Sequence, residues 1–180
     1  VIDSLRWILS SLEQNTKKSF QQDMLINKLL KFDWKVNKYV LVTGHRRESF
    51  GSGIIQVCEA IKELATIFKN IHFVYPLHFN PNIHLPAQKI LQNLSNVHII
   101  EPTDYVTFVC LLKHCNIVLT DSGGIQEEAP SLGKPVLVTR KVTERPEAVK
   151  AGTVELVGTN KHKICAAVTR LFKDKKHYEK

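Results

Sequence analysis

The sequence predicts a doubly wound α/β fold, in which helices cover both faces of a parallel sheet. Two observations predict it. From Tyr39 onward, short apolar runs rich in β-branched residues alternate with helical stretches. Each run is uniformly apolar, without the alternation of a half-exposed strand, as burial on both faces requires. The length of 180 residues suits one domain able to bury roughly 70% of its unfolded surface without disulfide or metal staples.

The elements follow in order. Ile2, Leu5, Ile8, Leu9 and Leu12 fall at helical spacing, and Leu25, Ile26, Leu29 and Leu30 resume it, so the first thirty residues read as helix. The strand candidates are Tyr39–Thr43, Ile71–Tyr75, Val97–Ile100, Ile117–Thr120, Pro135–Thr139 and Val154–Val157. Helices are expected near Ile54–Phe68, Leu85–Leu94, Tyr105–His114, Ile125–Ser131 and Pro146–Lys150, with a last one over His162–Phe172. No internal repeat or low-complexity linker interrupts the series.

Composition narrows the function classes. Hydrophobic residues make up 43% and charged residues 23%, which excludes a disordered chain. No apolar run approaches the ~20 residues of a membrane span, and no signal-peptide pattern opens the chain. Lys and Arg number 25 against 17 Asp and Glu, a net +8 that suits an anionic partner. The lysines are dispersed and no basic stripe is interleaved with aromatics, which argues against nucleic acid. The run Lys173, Lys175, Lys176 and Lys180 reads as a solvated helix end. Cys58, Cys110, Cys115 and Cys165 form no CxxC pair, and His114 alone completes no metal set. Free buried thiols in a reducing compartment are expected, hence a cytoplasmic protein.

Ligands of open α/β sheets bind beyond the carboxyl ends of the strands. Three loops there are polar and glycine-rich. Thr43 to Gly51 sets His45 between Gly44 and two arginines, Arg46 and Arg47. Guanidinium forks match phosphate oxygens and an imidazole can move a proton, although a solvated turn would use the same residues. Thr120 to Glu128 places Ser122, Gly123 and Gly124 before a helix, where backbone can approach a diphosphate closely and Ser122 can act as N-cap. It matches neither a P-loop nor the GxGxxG dinucleotide pattern. Glu128, one turn on, is in reach of sugar hydroxyls or is a surface carboxylate. Thr139 to Ala148 puts Arg145 before Pro146, a good first helical residue, with an Arg145–Glu144 or Arg145–Glu147 pair as the bland alternative. A fourth segment, Tyr75 to Asn82, contains His78, and its Asn80-Pro81-Asn82 run reads as a turn. Together the loops imply a nucleoside-diphosphate ligand.

The strings Thr43-Gly-His-Arg-Arg-Glu-Ser-Phe-Gly51, Tyr75-Pro-Leu-His-Phe-Asn-Pro-Asn82, Asp121-Ser-Gly-Gly-Ile-Gln-Glu-Glu-Ala-Pro-Ser-Leu-Gly-Lys-Pro135 and Thr143-Glu-Arg-Pro-Glu-Ala148 resemble the bacterial non-hydrolysing UDP-N-acetylglucosamine 2-epimerases. The resemblance covers nearly the whole chain. It implies a Rossmann-like domain, one of two in a glycosyltransferase-B-like fold. The implied activity interconverts UDP-N-acetylglucosamine and UDP-N-acetylmannosamine through UDP elimination and re-addition, with no nicotinamide and no required metal. By motif, Ser122, Gly123 and Gly124 would hold the diphosphate, Glu128 the ribose, and Arg145 a phosphate. The backbone of Phe108 would contact uracil, and His45 would assist UDP departure. Arg46 and His78 fit an activator site for a second UDP-N-acetylglucosamine.

Only the second of the family's two domains is matched. Residues 1–36 would be the linker helix region and 37–180 the UDP-binding domain. The missing N-terminal domain would carry the carboxylates that move the proton at carbon 2. The chain is thus expected to be a nucleotide-binding half, from a truncation or a broken reading frame, inactive alone and homodimeric at full length. A glycosyltransferase domain of the same architecture, or a UDP-binding remnant without catalysis, are the alternatives.

Overall fold

The computed structural model describes residues 2–44, 51–77, 80–140, 152 and 154–173. The described residues form six strands: β1 (Tyr39–Val42), β2 (His72–Pro76), β3 (Val97–Ile100), β4 (Ile117–Thr120), β5 (Val136–Val138) and β6 (Val154–Leu156). All pair in parallel, in the order β3-β2-β1-β4-β5-β6. Chain order therefore runs outward one way through β1, β2 and β3, then the other way from β4. The strand order reverses between β1 and β4, and that reversal is the switch point at which open sheets of this kind form a ligand crevice.

Seven described helices cover the sheet: α1 (Ile2–Gln14), α2 (Thr16–Leu29), α3 (Ser52–Ile67), α4 (Pro81–Leu91), α5 (Tyr105–His114), α6 (Ile125–Ser131) and α7 (Lys161–Lys173). Successive strand residues go to opposite cores. Val40 and Val42 of β1, Phe73 and Tyr75 of β2, and Ile117 and Leu119 of β4 pack with α3, α4 and α7. Tyr39, Leu41, Val74 and Val118 pack instead with Ile26, Leu30, Trp34 and α5. Both faces being covered explains the uniformly apolar runs. Every residue of β1 and β4 is buried, whereas the edge strands β3 and β6 are partly exposed.

The strand expectations hold to within a residue or so at each end. The opening helical stretch divides in two at Asn15, whose Oδ1 accepts the Lys18 amide at 3.1 Å and caps α2. α2 is tied to α5 by a buried bond in which Gln22 Nε2 donates to Thr107 Oγ1 at 2.7 Å. Leu5 and Ile8 of α1 close over Val109 of α5. One helix starts earlier than expected. Asn80-Pro81-Asn82 is not a turn outside α4 but its beginning: Asn80 Oδ1 accepts the Asn82 amide at 3.0 Å, and Pro81 occupies the first turn. The expected helix Pro146–Lys150 and the lysines beyond Lys173 lie outside the described residues.

Candidate functional site

The crevice is built on the carboxyl ends of β1, β4 and β5: Thr120 closes β4, and Thr43 and Thr139 directly follow β1 and β5. Thr43 Oγ1 and Thr120 Oγ1 share a hydrogen bond of 2.6 Å, and the Thr43 amide reaches Leu119 O at 2.9 Å. Thr139 N donates to Thr120 O at 2.9 Å. These bonds extend the sheet past its last apolar residues and hold Gly44 and Asp121 side by side. A β-carbon on Gly44 would lie 3.6 Å from Tyr75 Oη and 3.8 Å from Asp121 Oδ2. Asp121 is fully buried, and so is Tyr75, whose hydroxyl has no hydrogen-bond partner among the described residues.

The Ser-Gly-Gly turn leaves β4 at this point. Ser122 does not cap α6. Its own amide is held by Thr120 Oγ1 at 3.0 Å, and Gly124, with no side chain, takes the cap position. Gln126 Nε2 reaches back to Ser122 O at 3.4 Å, and the amides of Glu127 and Glu128 both bond Gly124 O at 3.1 Å. Helix α6 has only seven residues, so anion attraction here rests on the amides of the turn and little on a helix dipole. Gly124 has ordinary helical dihedrals, φ −64 and ψ −39, and nothing lies within 4 Å of where its β-carbon would be. Conformation does not demand glycine there; open space is what its lack of a side chain supplies. Gly51 is different, because its φ of +77 at the start of α3 is a conformation side chains oppose.

Beside the turn lies a pocket of about 200 Å³ lined by Thr43, Gly44, Pro102, Phe108, Ser122 and Ile125, among others. Phe108 and Ser122, both expected at a site, are thus brought to one wall. Glu128 sits one turn beyond Ile125 on α6 and is buried to 6% exposure. Burial raises its carboxyl above the ordinary range, while a hydrogen bond from Tyr105 Oη, 3.2 Å from Glu128 Oε1, acts to lower it. His45, Arg46, His78 and Arg145 lie outside the described residues. A larger open groove of about 450 Å³ runs beside β6, between Gln56, Arg140, Asn160 and Lys163, and among the described residues none of those predicted for the site lines it.

Sequence reasoning assigned no role to Tyr105, Tyr75, Thr43, Thr120 or Thr139, although all but Tyr105 stand in the loops it singled out. A threonine closing each of three apolar runs was the available signal. The thiols play no part in the site. Cys58, Cys110 and Cys115 are buried and free, and Cys165, expected to be buried, is only half-buried. Burial pushes Cys58, Cys115 and Cys165 up to about 12 and Cys110 to about 11, which keeps them as unreactive thiols. Among the described residues no group of His, Cys, Asp and Glu could hold a metal ion, and no helix is long and apolar enough to cross a membrane.

Comparison with known proteins agrees with this geometry. A family model described as UDP-N-acetylglucosamine 2-epimerase matches residues 1–180. The UDP-N-acetylglucosamine 2-epimerase of Escherichia coli K12 is 50% identical over 179 residues, covering 99% of this chain and 46% of the relative. A crystal structure of the Neisseria meningitidis UDP-GlcNAc 2-epimerase bound to UDP-GlcNAc superposes with a TM-score of 0.91 at 47% identity, over 99% of this chain and 47% of that one. The C-terminal domain of a Francisella tularensis group 1 glycosyl transferase shares the fold alone, with a TM-score of 0.62 at 16% identity over 79% of each chain. The chain spans about half the length of the curated relatives it matches, corresponding to their C-terminal half.

Proposed function

Because the chain belongs to the UDP-N-acetylglucosamine 2-epimerase family, we propose that it is the UDP-binding half of such an enzyme. The observation that carries the reading is the pocket at the β1/β4 crevice, lined by Phe108 and Ser122, beside a turn with open space where a Gly124 side chain would be. Residues 1–36 act as the linker helix region and 37–180 as the nucleotide domain. Uracil sits against the backbone of Phe108. The amides of Ser122, Gly123 and Gly124, with Arg145, hold the diphosphate, and Glu128 takes the ribose hydroxyls.

Joined to the other half of the enzyme, this site converts UDP-N-acetylglucosamine to UDP-N-acetylmannosamine. A carboxylate of the other half removes the proton at carbon 2 as the bond from carbon 1 to the β-phosphate oxygen breaks. UDP leaves as an anion, its charge met by the turn amides and Arg145, with His45 assisting departure. The remaining 2-acetamidoglucal then takes a proton on its other face while UDP adds back at carbon 1. Elimination and re-addition of UDP transfer a proton and no hydride, so these steps use no redox cofactor. Arg46 and His78 serve a second UDP-N-acetylglucosamine as activator.

Calorimetry with UDP tests the site. Gly124→Ala should fold at least as stably as the original, since its backbone is already helical and the methyl enters open space. It should nevertheless bind UDP at least about tenfold more weakly, because the methyl enters the space given to phosphate. Arg145→Ala should lower affinity by about 1.5–3 kcal/mol through loss of a charge-assisted contact. Equal UDP affinity in all three proteins would remove the diphosphate from this turn.

A further inference from the structure

Tyr105 opens α5 and is 39% exposed, an unusual setting for an aromatic residue in direct contact with a buried carboxylate. Its Oη donates to Glu128 Oε1 at 3.2 Å. The second carboxylate oxygen, Oε2, takes no hydrogen bond from any described residue. The backbone beneath is fixed as well: Ser131 Oγ donates to Glu128 O at 2.6 Å, and the Glu128 amide bonds Gly124 O. Glu128 is therefore held at one oxygen and along its main chain, while no described residue donates a hydrogen bond to the other oxygen. The residue three positions along α5 from Tyr105 is Phe108, which lines the pocket. Residues at that spacing share a helix face, so one face of α5 supplies both the pocket wall and the clamp.

We propose that Tyr105 is a positioning residue: by holding Glu128 Oε1 it aims Oε2 at the ribose and makes the site select ribonucleoside over 2′-deoxyribonucleoside diphosphates. This rests on the reading that the pocket takes UDP with its ribose against Glu128. The physical argument is one of preorganisation. A carboxylate free to rotate accepts from a hydroxyl only after losing that freedom. One already fixed by a phenol does not incur that cost when the ligand arrives. The selectivity arises because a bound ligand lacking the hydroxyl covers Oε2 without giving it a donor.

The test is calorimetry of the 180-residue chain and its Tyr105→Phe and Glu128→Gln variants with UDP and with 2′-deoxy-UDP. The original chain should prefer UDP by about tenfold. Tyr105→Phe should weaken UDP about three- to tenfold and leave 2′-deoxy-UDP within about twofold, so that the preference shrinks. Glu128→Gln should shrink it as well. The melting temperature of Tyr105→Phe should fall by only about 2–4 °C, the shift expected for loss of a single hydrogen bond to a buried carboxylate, so the variant stays folded for the titration. An undiminished preference in Tyr105→Phe overturns the role of Tyr105 and leaves the UDP site standing. Absence of UDP binding overturns both readings, whereas equal affinity for the two nucleotides in the original chain overturns the selectivity and leaves the UDP site standing.

Discussion

His72 and His98 lie next to each other at the start of β2 and in β3, with His72 Nδ1 and His98 Nε2 2.9 Å apart. The ring of Phe32 stacks on both, with centroids 3.9 Å from His72 and 4.6 Å from His98. Burial, then the neighbouring His72 and then Lys31 push His98 down to about 4, and burial lowers His72 too. The fold therefore favours the neutral rings. For a histidine whose folded pKa lies below its unfolded one, near 6.5, stability is fully present above that unfolded value. It is lost progressively as pH falls towards the folded value. The melting temperature should thus decline between about pH 6.5 and 4. His98→Phe keeps an aromatic ring against Phe32 but cannot take up a proton, so its melting temperature should decline less over the same range. The decline should not vanish, because burial also lowers His114. Parallel curves for the two proteins would show that the pair does not contribute.

At the scale of elements, α4 shows where local signals mislead. Asparagine followed by proline suits a turn and suits a capped helix start equally, and only the packing of Ile83, Ala87 and Leu91 against α3 decides between them. Asn80→Ala should cost about 1 kcal/mol in urea unfolding, the value of a lost side-chain cap, with an unchanged slope on denaturant. An unaltered midpoint would mean that α4 holds its first turn without Asn80. The strands were legible because a doubly covered parallel strand leaves an unbroken apolar run, as Val40 to Val42 and Ile117 to Leu119 do. The Ser122–Gly124 turn was named through a motif string and Phe108 through the family resemblance, and both lie beside the pocket. The Tyr105–Glu128 and Thr43–Thr120 bonds were not, since partners 23 and 77 residues apart leave no periodicity to read. The misplaced cap has a similar origin. Ser122 looks like an N-cap in sequence, yet its amide is bonded to Thr120 and the cap position falls two residues later, at Gly124.

For the molecule as a whole, the sheet offers one side of a crevice, and the proposed reaction needs two. Epimerisation requires a base at the carbon 2 proton and an acid on the opposite face of the sugar, each contributing roughly 10²–10⁴-fold. It also requires exclusion of water, which a crevice open on one side does not supply. Asp121 is fully buried beneath Gly44 and Glu127 flanks the turn, so neither is arranged to reach both faces of a ring seated above. Glu128 is committed to Tyr105 and, in the reading above, to the ribose. His45 can assist one departure but cannot serve two faces. The 180-residue chain alone should therefore bind UDP-N-acetylglucosamine without incorporating solvent deuterium at carbon 2. Adding the other half of a relative as a separate chain should restore some exchange, because the surfaces that meet across the crevice are still present on this side. Proton NMR of the sugar nucleotide in deuterium oxide reads both outcomes. Exchange by the isolated chain would place an acid and a base among residues assigned here to binding. Retained UDP affinity without exchange is the result expected of a nucleotide-holding half.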